Sequence, residues 1–335
     1  MNEINKVHRK VYPFKTEPFE HQLKAWDLSK DKESFALFME MGTGKSKVIL
    51  DNAAYLYDNG MIDTLLIIAP KGAYRNWHIN EIPAHLPDHV IYRYAIWSAN
   101  PRKKEKKYLD DIVRAGDELR IVIMNIEAFS STRGVKWATS LMNTCRAMMV
   151  VDESTTIKNP VAKRTKAIIK LGMMAKYRRI LTGEPVTRDP LDLYSQCEFL
   201  DEYHLGFSSF YTFRNRYAIM INMNLGGRSF KKITGFQRTD ELNDILRKFS
   251  FRVKKDDCLD LPDKSYQYRY VDLTEEQEKA YNEMKNLCFT TTSDSIVTVP
   301  NKLAMLEKLH QIICGHIIDR QGHINYIKNN RIKAL

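Results

Sequence analysis

The chain has 335 residues, enough for two domains, and 44% of them are hydrophobic, as in ordinary globular proteins. No apolar stretch approaches the ~20 residues of a membrane-spanning helix, and the first residues lack the apolar segment of a secretory signal. Lys and Arg number 52 against 41 Asp and Glu, and this net charge of +11 indicates a polyanionic partner, nucleic acid or acidic membrane. The five cysteines form no C-x-x-C pair and favour a reducing cytoplasm.

Residues 39–46 predict a phosphate-binding loop, because they follow an apolar run and precede a helix-like stretch. Glycines let a backbone approach phosphates, Lys45 would reach the β- and γ-phosphates of ATP, and the Ser46 hydroxyl would bind Mg²⁺. Met39 departs from the G-x-x-x-x-G-K-[ST] pattern, since it occupies the first glycine position. An ordinary glycine-rich turn with a surface lysine is the alternative. The residues expected to hold the nucleotide here are Met41, Gly42, Thr43, Gly44, Lys45 and Ser46.

A second apolar run, residues 147–151, ends in Asp152 and Glu153. Such a run is typical of a buried parallel strand that delivers acids to the edge of the sheet where open α/β folds bind ligands. Asp152 is suited to hold Mg²⁺, and Glu153 can polarise a water for attack on the γ-phosphate. A solvated strand end is the alternative for an isolated acid pair. Together with the upstream loop, the pattern predicts Lys45, Asp152 and Glu153 as catalytic residues.

Strand-like and helix-like segments alternate between about residues 34 and 185, which predicts an α/β fold with helices on both faces of a parallel sheet. Past residue 190 aromatic and basic residues mix, and a Gly-Gly pair at 226–227 predicts a hairpin turn. Helices are predicted from Thr274 onward and over residues 301–315. The strand candidates are Phe35–Met39, Thr64–Ala69, Arg120–Asn125, Ala147–Val151 and Arg179–Leu181.

Several segments resemble motifs of Swi/Snf-type ATPases, the double-stranded-DNA translocases of helicase superfamily two. The resemblance covers about residues 18–316 in the family's order, and the compact motifs favour a bacterial or phage source. Residues 65–77 resemble the first DNA-contacting motif, 152–159 the D-E-x-x-x-x-K-N box, 181–186 the L-T-G-T-P coupling motif, 18–22 the adenine-reading segment, 252–254 the R-x-K signature and 261–264 the L-P-x-K signature.

The resemblance implies an ATP-dependent DNA helicase or translocase that uses ATP and Mg²⁺. It implies a RecA-like ATP-binding lobe over 1–200, a mostly helical protrusion with a hairpin and basic residues over 201–260, and linker helices over 261–335 that return to the first lobe and begin a second. The expected partners are duplex DNA, bound through its backbone, and a second RecA-like lobe in cis or in trans. Without that lobe the chain should hydrolyse ATP poorly. The implied site residues are Gln22 for adenine, Lys71, Arg75, Trp77 and Asn125 for DNA, and Thr182 and Gly183 for coupling. For Trp77, a buried ring that packs the motif is the alternative to a DNA contact.

Some residues depart from the family pattern or leave alternatives open. Ser154-Thr155 stand where many relatives have Ala-His. Arg179 is either a phosphate sensor or a charge at the sheet edge, and the basic run Arg102–Lys107 is either a solvated loop or a DNA contact. Two other functions remain: a non-catalytic DNA-binding module, and a small-molecule phosphotransferase, which would not account for residues 71–77 or 181–186. His310, Cys314 and His316 lack a fourth ligand, so we expect no zinc, and we expect no membrane partner.

Overall fold

The computed structural model describes residues 12–114, 116–225, 228–258, 267–291, 296–299, 301–319 and 321–334. The first residues of the chain, the Gly-Gly turn at 226–227 and the signature at 261–264 lie outside the described residues. The chain divides into two compact units, Met1–Leu261 and Pro262–Leu335. Within the described ranges, no helix is both long enough and apolar enough to cross a membrane.

A seven-stranded parallel sheet forms the centre of the first unit, in the order β3-β4-β2-β5-β6-β1-β9. This architecture confirms the predicted α/β fold. Parallel pairing places the carboxyl ends of all seven strands at one edge, where the motif loops follow. The strands are β1 (Ser34–Met39), β2 (Thr64–Ala69), β3 (Tyr92–Ile96), β4 (Leu119–Asn125), β5 (Ala147–Asp152), β6 (Tyr177–Leu181), a hairpin of β7 (Ala218–Leu225) and β8 (Arg228–Phe236), and β9 (Ser250–Val253).

All five predicted strands are present, within two residues of the expected bounds, and two more complete the sheet. Strands β3 and β9 lie at its two edges. An edge strand is only partly covered, so its sequence lacks the continuous apolar run that marks a buried parallel strand. Tyr92 and Tyr94 of β3 are exposed, for example, and β9 is short. Continuous apolar runs in the sequence therefore did not predict these two strands.

Helices cover both faces of the sheet and enclose two apolar cores. Alternation along β2 shows the two faces, since Leu66 and Ile68 pack in one core while Leu65 and Ile67 pack in the other. The helices of this unit are α1 (Glu20–Ser29), α2 (Lys45–Asp58), α3 (Tyr74–Asn76), α4 (Ile82–His85), α5 (Lys103–Ile112), α6 (Thr132–Met142), α7 (Lys163–Gly172), α8 (Leu193–Leu200), α9 (Phe210–Tyr217) and α10 (Thr239–Arg247).

The segment after residue 201 combines α9, the β7–β8 hairpin and α10. The antiparallel pairing from Ala218↔Phe236 to Leu225↔Arg228 confirms the predicted hairpin. An ion pair fastens α9 to α10, since Arg216 Nη2 lies 2.6 Å from Glu241 Oε2. The chain then returns to the central sheet as β9, beside β1. The range 201–260, expected to be a protrusion, thus also supplies one edge of the main sheet.

The second unit contains α11 (Glu275–Leu287), α12 (Lys302–Ile313), α13 (Arg331–Ala334) and two hairpins. The helix predicted from Thr274 is confirmed, because the Thr274 hydroxyl accepts a hydrogen bond from the Gln277 N–H and caps α11. Asn301 caps α12 in the same way. The hairpins pair β10 (Phe289–Thr291) with β11 (Ile296–Thr298) and β12 (His316–Ile318) with β13 (Ile324–Tyr326).

Candidate nucleotide-binding site

The loop between β1 and α2 has the geometry of a phosphate cradle. Gly42 and Gly44 have φ values of 84° and 87°, in the left-handed region that glycine adopts without strain. A Cβ on Gly44 would lie 2.1 Å from the Gln22 amide nitrogen, so a larger residue there would have to displace the Gln22 side chain. Helix α2 begins at Lys45, which directs its first N–H groups towards the loop. Met39, which replaces a glycine of the usual pattern, is the buried last residue of β1.

The Lys45 ammonium folds back over this loop. Its Nζ donates to the carbonyl oxygens of Met39 at 2.8 Å and Glu40 at 3.3 Å. Burial lowers the pKa of Lys45, while the carboxylates of Glu153 and Asp152 act in the opposite direction. The lysine is therefore close to both acids, although more than 100 residues separate them along the chain. Phosphate oxygens would therefore meet an ammonium whose charged form is disfavoured by burial.

The two predicted acids follow β5 as expected. Asp152 ends the strand, and Glu153 adopts a left-handed φ of 48°, which is uncommon for a residue with a side chain. The Asp152 carboxylate accepts from its neighbour's backbone, Glu153 N, at 3.0 Å. Burial raises the pKa of Asp152, and the Glu153 charge adds to that effect. An acid pair held in this way is not a solvated strand end.

Trp77 contributes to this acid pair. Its indole Nε1 donates to Asp152 Oδ2 at 2.9 Å, and the side chain is only 2% exposed. The ring is therefore inaccessible to DNA in this structure, contrary to the DNA contact expected for it. Neither composition nor spacing signals the bond, because 75 residues separate the partners. Trp77 orients the carboxylate expected to bind the metal.

Thr182 and Gly183, the residues expected to act in coupling, lie against both parts of the site. Thr182 Oγ1 donates to Glu153 Oε2 at 3.3 Å. A Cβ on Gly183 would lie 3.4 Å from the Glu40 Cα, so this backbone runs beside the phosphate loop. The segment that resembles the coupling motif thus contacts the groups expected to handle the γ-phosphate and water.

A buried bridge also joins the acid box to the coupling motif where this chain departs from its relatives. Ser154 Oγ donates to Gln196 Oε1 at 2.6 Å, and Gln196 Nε2 donates to the Pro185 carbonyl at 2.8 Å. Both side chains are fully buried. Ser154, which stands at an alanine position of the family pattern, therefore links the two motifs through Gln196. Sequence reasoning missed Gln196, which no motif contains.

Gln22 lies beside the loop with both ends of its amide engaged. Its Nε2 donates to the Thr43 carbonyl at 3.1 Å, and its Oε1 accepts from the Phe19 N–H at 3.1 Å. Each end of the amide keeps one further hydrogen-bonding position, so contact with an adenine edge would not require either bond to break. Thr43 is buried and its hydroxyl donates to the Glu40 carbonyl at 2.7 Å, whereas Met41 is exposed.

The remaining DNA candidates share the carboxyl edge of the sheet with this site. Lys71 and Arg75 follow β2, and Asn125 ends the adjacent β4, paired with Ala69. Lys71 and Arg75 are exposed, and Arg75 Nε donates to the Tyr74 hydroxyl at 3.1 Å. The Asn125 side chain accepts from the Ala128 N–H and fixes the loop that follows. These three residues are available on one surface.

Two further cations, Arg179 and Lys255, have positions that the sequence did not predict. Arg179 is neither a phosphate sensor nor a charge on an edge strand, because it is fully buried in the interior strand β6, and its guanidinium hydrogen-bonds backbone carbonyls that precede β1, at the amino-terminal ends of the strands. Lys255, which no motif singled out, lies beside the phosphate loop: its N–H donates to Glu40 Oε2 at 2.9 Å, and its Cε would lie 3.2 Å from a Cβ on Gly42. It follows the R-x-K signature directly.

Comparisons with known proteins agree with this geometry. A family model described as the SNF2-related domain matches residues 20–321. The helicase-like transcription factor of Mus musculus is 24% identical over 302 residues, which are 85% of this chain and 28% of that protein. The chromatin-remodeling ATPase INO80 of Candida albicans is 24% identical over 300 residues, which are 83% of this chain and 20% of that protein. The chain therefore spans less than a third of either relative.

A solved structure with the same fold is the Sulfolobus solfataricus SWI2/SNF2 ATPase core in complex with dsDNA. It matches 90% of this chain and 59% of its own chain, with a TM-score of 0.56 and 24% sequence identity. The likeness confirms the RecA-like arrangement of the sheet and its helices.

Proposed function

Since this chain belongs to the SNF2-related domain family, we propose that it is the nucleotide-binding lobe of an ATP-dependent DNA translocase. The observation that carries the proposal is the meeting of Lys45 with Asp152 and Glu153 at one edge of the sheet. Phosphoryl transfer needs little covalent chemistry from a protein, so placing an ammonium and two acids around a triphosphate is most of the task.

Each residue has a defined role in this proposal. The loop from Met41 to Ser46 and the start of α2 bind the phosphates through backbone N–H groups, and Lys45 moves from the loop carbonyls to the β- and γ-phosphates. Glu153 orients the attacking water and accepts its proton. Thr182 contacts Glu153 and so passes the state of the nucleotide to the coupling segment.

The residues present fit a magnesium ion. Asp152 and Ser46 offer a carboxylate and a hydroxyl, the hard oxygen ligands that Mg²⁺ prefers. When bound, Mg²⁺ would neutralise charge on the phosphates. The Trp77 indole would keep one oxygen of Asp152 oriented.

We place duplex DNA on the surface that carries Lys71, Arg75 and Asn125. The support is the exposure of both cations, their position at the edge next to the nucleotide site, the net charge of +11, and the dsDNA bound by the Sulfolobus solfataricus core. Contacts to phosphates would be independent of sequence and weakened by salt. A second RecA-like lobe, in cis or in trans, would close the nucleotide site. A cytoplasmic location agrees with five free cysteines.

The test measures ATP turnover and fluorescent-ATP binding by the chain, with and without duplex DNA. We expect Mg-dependent ATP binding, and turnover that rises with DNA. Glu153→Gln should lower DNA-stimulated turnover about 100-fold or more but keep ATP binding, because a general base is worth that much. Glu276→Gln, an exposed acid of the second unit, is the matched control. DNA binding without any ATP binding would instead identify a non-catalytic DNA-binding module.

A further inference from the structure

A cavity of about 830 Å³ opens beside the expected DNA contacts and has no part in the nucleotide site. Its size lies within the ~300–1,000 Å³ of typical ligand pockets. Arg75 and Asn125, both expected to contact DNA, line it. Much of the remaining wall is aromatic and comes from the edge strand β3 and helix α5.

The tyrosines of this wall are exposed rather than used for packing. Tyr92 and Tyr94 alternate with Arg93 along β3 and therefore project from the same face of the strand. Tyr94 is 45% exposed and Tyr108, on α5, is 55% exposed. Large rings exposed together around one cavity form a surface suited to stacking.

The cavity is partly fixed before any ligand arrives. The rings of His78 and Tyr94 lie 4.9 Å apart between centroids, which supports Tyr94 from one side. Trp97 and Ala95 line the cavity and are buried, so they form its rigid floor. The Arg75 guanidinium lies 5.8 Å from the Tyr74 ring centroid and bonds its hydroxyl. Preorganised rings lose little entropy when they bind.

Basic residues also lie on helix α5, which contributes to the cavity wall. The run Arg102–Lys107, for which a solvated loop and a DNA contact were the alternatives, is the start of this helix, and its four lysines are exposed. Glu105 of this run caps the helix by accepting from the Arg102 N–H at 2.8 Å, and with Tyr108 it lines the cavity. The aromatic wall thus includes Arg75 and a segment of the lysine-rich helix α5.

We propose that this cavity binds an unpaired DNA base. Every base has a π face that stacks on aromatic rings, and its flanking phosphates are attracted by nearby cations. The base stacks on the cavity tyrosines while the phosphates on either side contact Arg75 and the lysines of α5. A base inside an intact duplex cannot enter, since it must first leave the stack. The chain therefore favours DNA with an unpaired nucleotide over fully paired duplex, an inference that rests on the proposed function.

The experiment compares two DNA duplexes that differ by one unpaired 2-aminopurine in the middle of one strand. Fluorescence anisotropy of a terminal dye gives the affinities, and 2-aminopurine emission reports stacking. We expect the wild-type chain to bind the duplex with the unpaired base about tenfold more tightly, the value of roughly one base–aromatic stack, and to quench the 2-aminopurine.

Tyr94→Ala and Tyr108→Ala should each remove most of the preference and the quenching, while affinity for the paired duplex stays at the wild-type value. Tyr94→Phe keeps the ring and should retain both effects. Tyr203→Ala, which removes a tyrosine that is 78% exposed elsewhere on the unit, is the matched control. Thermal melting checks that each variant is folded.

Equal affinity of the wild-type chain for both duplexes overturns this inference but leaves the proposed function intact. A preference that survives both alanine variants likewise overturns it, because the base would bind elsewhere. A wild-type chain that binds no DNA at all rejects the proposed function together with the inference.

Discussion

Buried charges at the amino and carboxyl ends of the parallel strands, here called the amino edge and the carboxyl edge of the sheet, differ in how many hydrogen bonds they form. At the amino edge, Arg179 is fully buried, yet its guanidinium donates to four backbone carbonyls and to the Asn52 side chain. At the carboxyl edge, Lys45 donates to only two loop carbonyls, one of them at 3.3 Å. Arg179 therefore joins several chain segments, whereas the Lys45 ammonium remains available to bind a ligand.

A second arginine repeats the pattern at the amino edge. Arg120, near the start of β4, lies 2.7 Å from Asp63 and also donates to the carbonyls of Val113 and Thr144. Burial acts to raise the pKa of Asp63, but the hydrogen bonds from Arg120, Thr64 and the Arg146 backbone, together with the Arg120 charge, outweigh it, so the pKa is lowered. The bonds of this pair hold four chain segments together.

The pKa direction of the acid is reversed at the carboxyl edge, whereas burial lowers the pKa of the cation at both edges, to about 9 for Arg179. Burial lowers the pKa of Lys45 and raises that of Asp152, so each charged form is incompletely compensated despite the opposite charge nearby. Uncompensated charge is characteristic of sites that bind charged ligands. A triphosphate and a divalent cation would supply the missing partners. The hydrogen bonds around a buried charge, more than the burial itself, therefore distinguish structural residues from functional ones.

The largest effect should come from Arg179→Leu. It leaves several buried carbonyl oxygens without a donor, and each costs ~1–3 kcal/mol, so the free energy of unfolding should fall by about 4 kcal/mol. Urea denaturation measures the change. Arg178→Leu, one residue earlier in the same strand and only partly buried, should cost far less. Similar losses in the two variants would remove the contrast between the edges.

Lys45→Met should weaken ATP binding without lowering the free energy of unfolding. Loss of a charged hydrogen bond to phosphate should weaken ATP binding about 10- to 100-fold. Because the variant removes a desolvated ammonium with few partners, the free energy of unfolding should stay constant or rise. Fluorescent-ATP titration and urea denaturation give the two values, with Lys166→Met, an exposed lysine on α7, as control. A large loss of stability would show that Lys45 has a structural role like that of Arg179 and Arg120.

Trp77→Phe should have the smallest effect. The variant keeps an aromatic ring and removes one N–H donor from Asp152, a bond worth ~1 kcal/mol. We expect about fivefold more Mg²⁺ to be needed for half-maximal DNA-stimulated ATP turnover. The pKa of Asp152 should also rise further, because a donor that stabilises its charged form is lost, so the acidic limb of the pH profile moves to higher pH.

Trp137→Phe, on α6, provides the control for Trp77→Phe. If the Mg²⁺ requirement and the pH profile of Trp77→Phe match those of the wild type, the indole only fills space and the link to Asp152 has no function.

Much of the fold could be predicted from sequence because its interior strands are buried on both faces. Thr64–Ala69 and Ala147–Asp152 are continuous apolar runs, and such runs have few alternatives. The edge strands β3 and β9 could not be found in this way, since solvent covers part of each. The basic run before Tyr108 was equally ambiguous, because a solvated helix and a solvated loop can share one composition.

The sequence by itself determined the chemistry available to this protein: glycines at 42 and 44 with a lysine after them, and two acids after a buried strand. These features are local, since backbone freedom and apolar runs act between neighbours in the chain. Only the tertiary structure decided which charges are satisfied, because the bonds of Arg179, the contact of Trp77 with Asp152 and the Ser154–Gln196 bridge join residues far apart in sequence. Such contacts depend on how packed elements meet, and no local pattern encodes that.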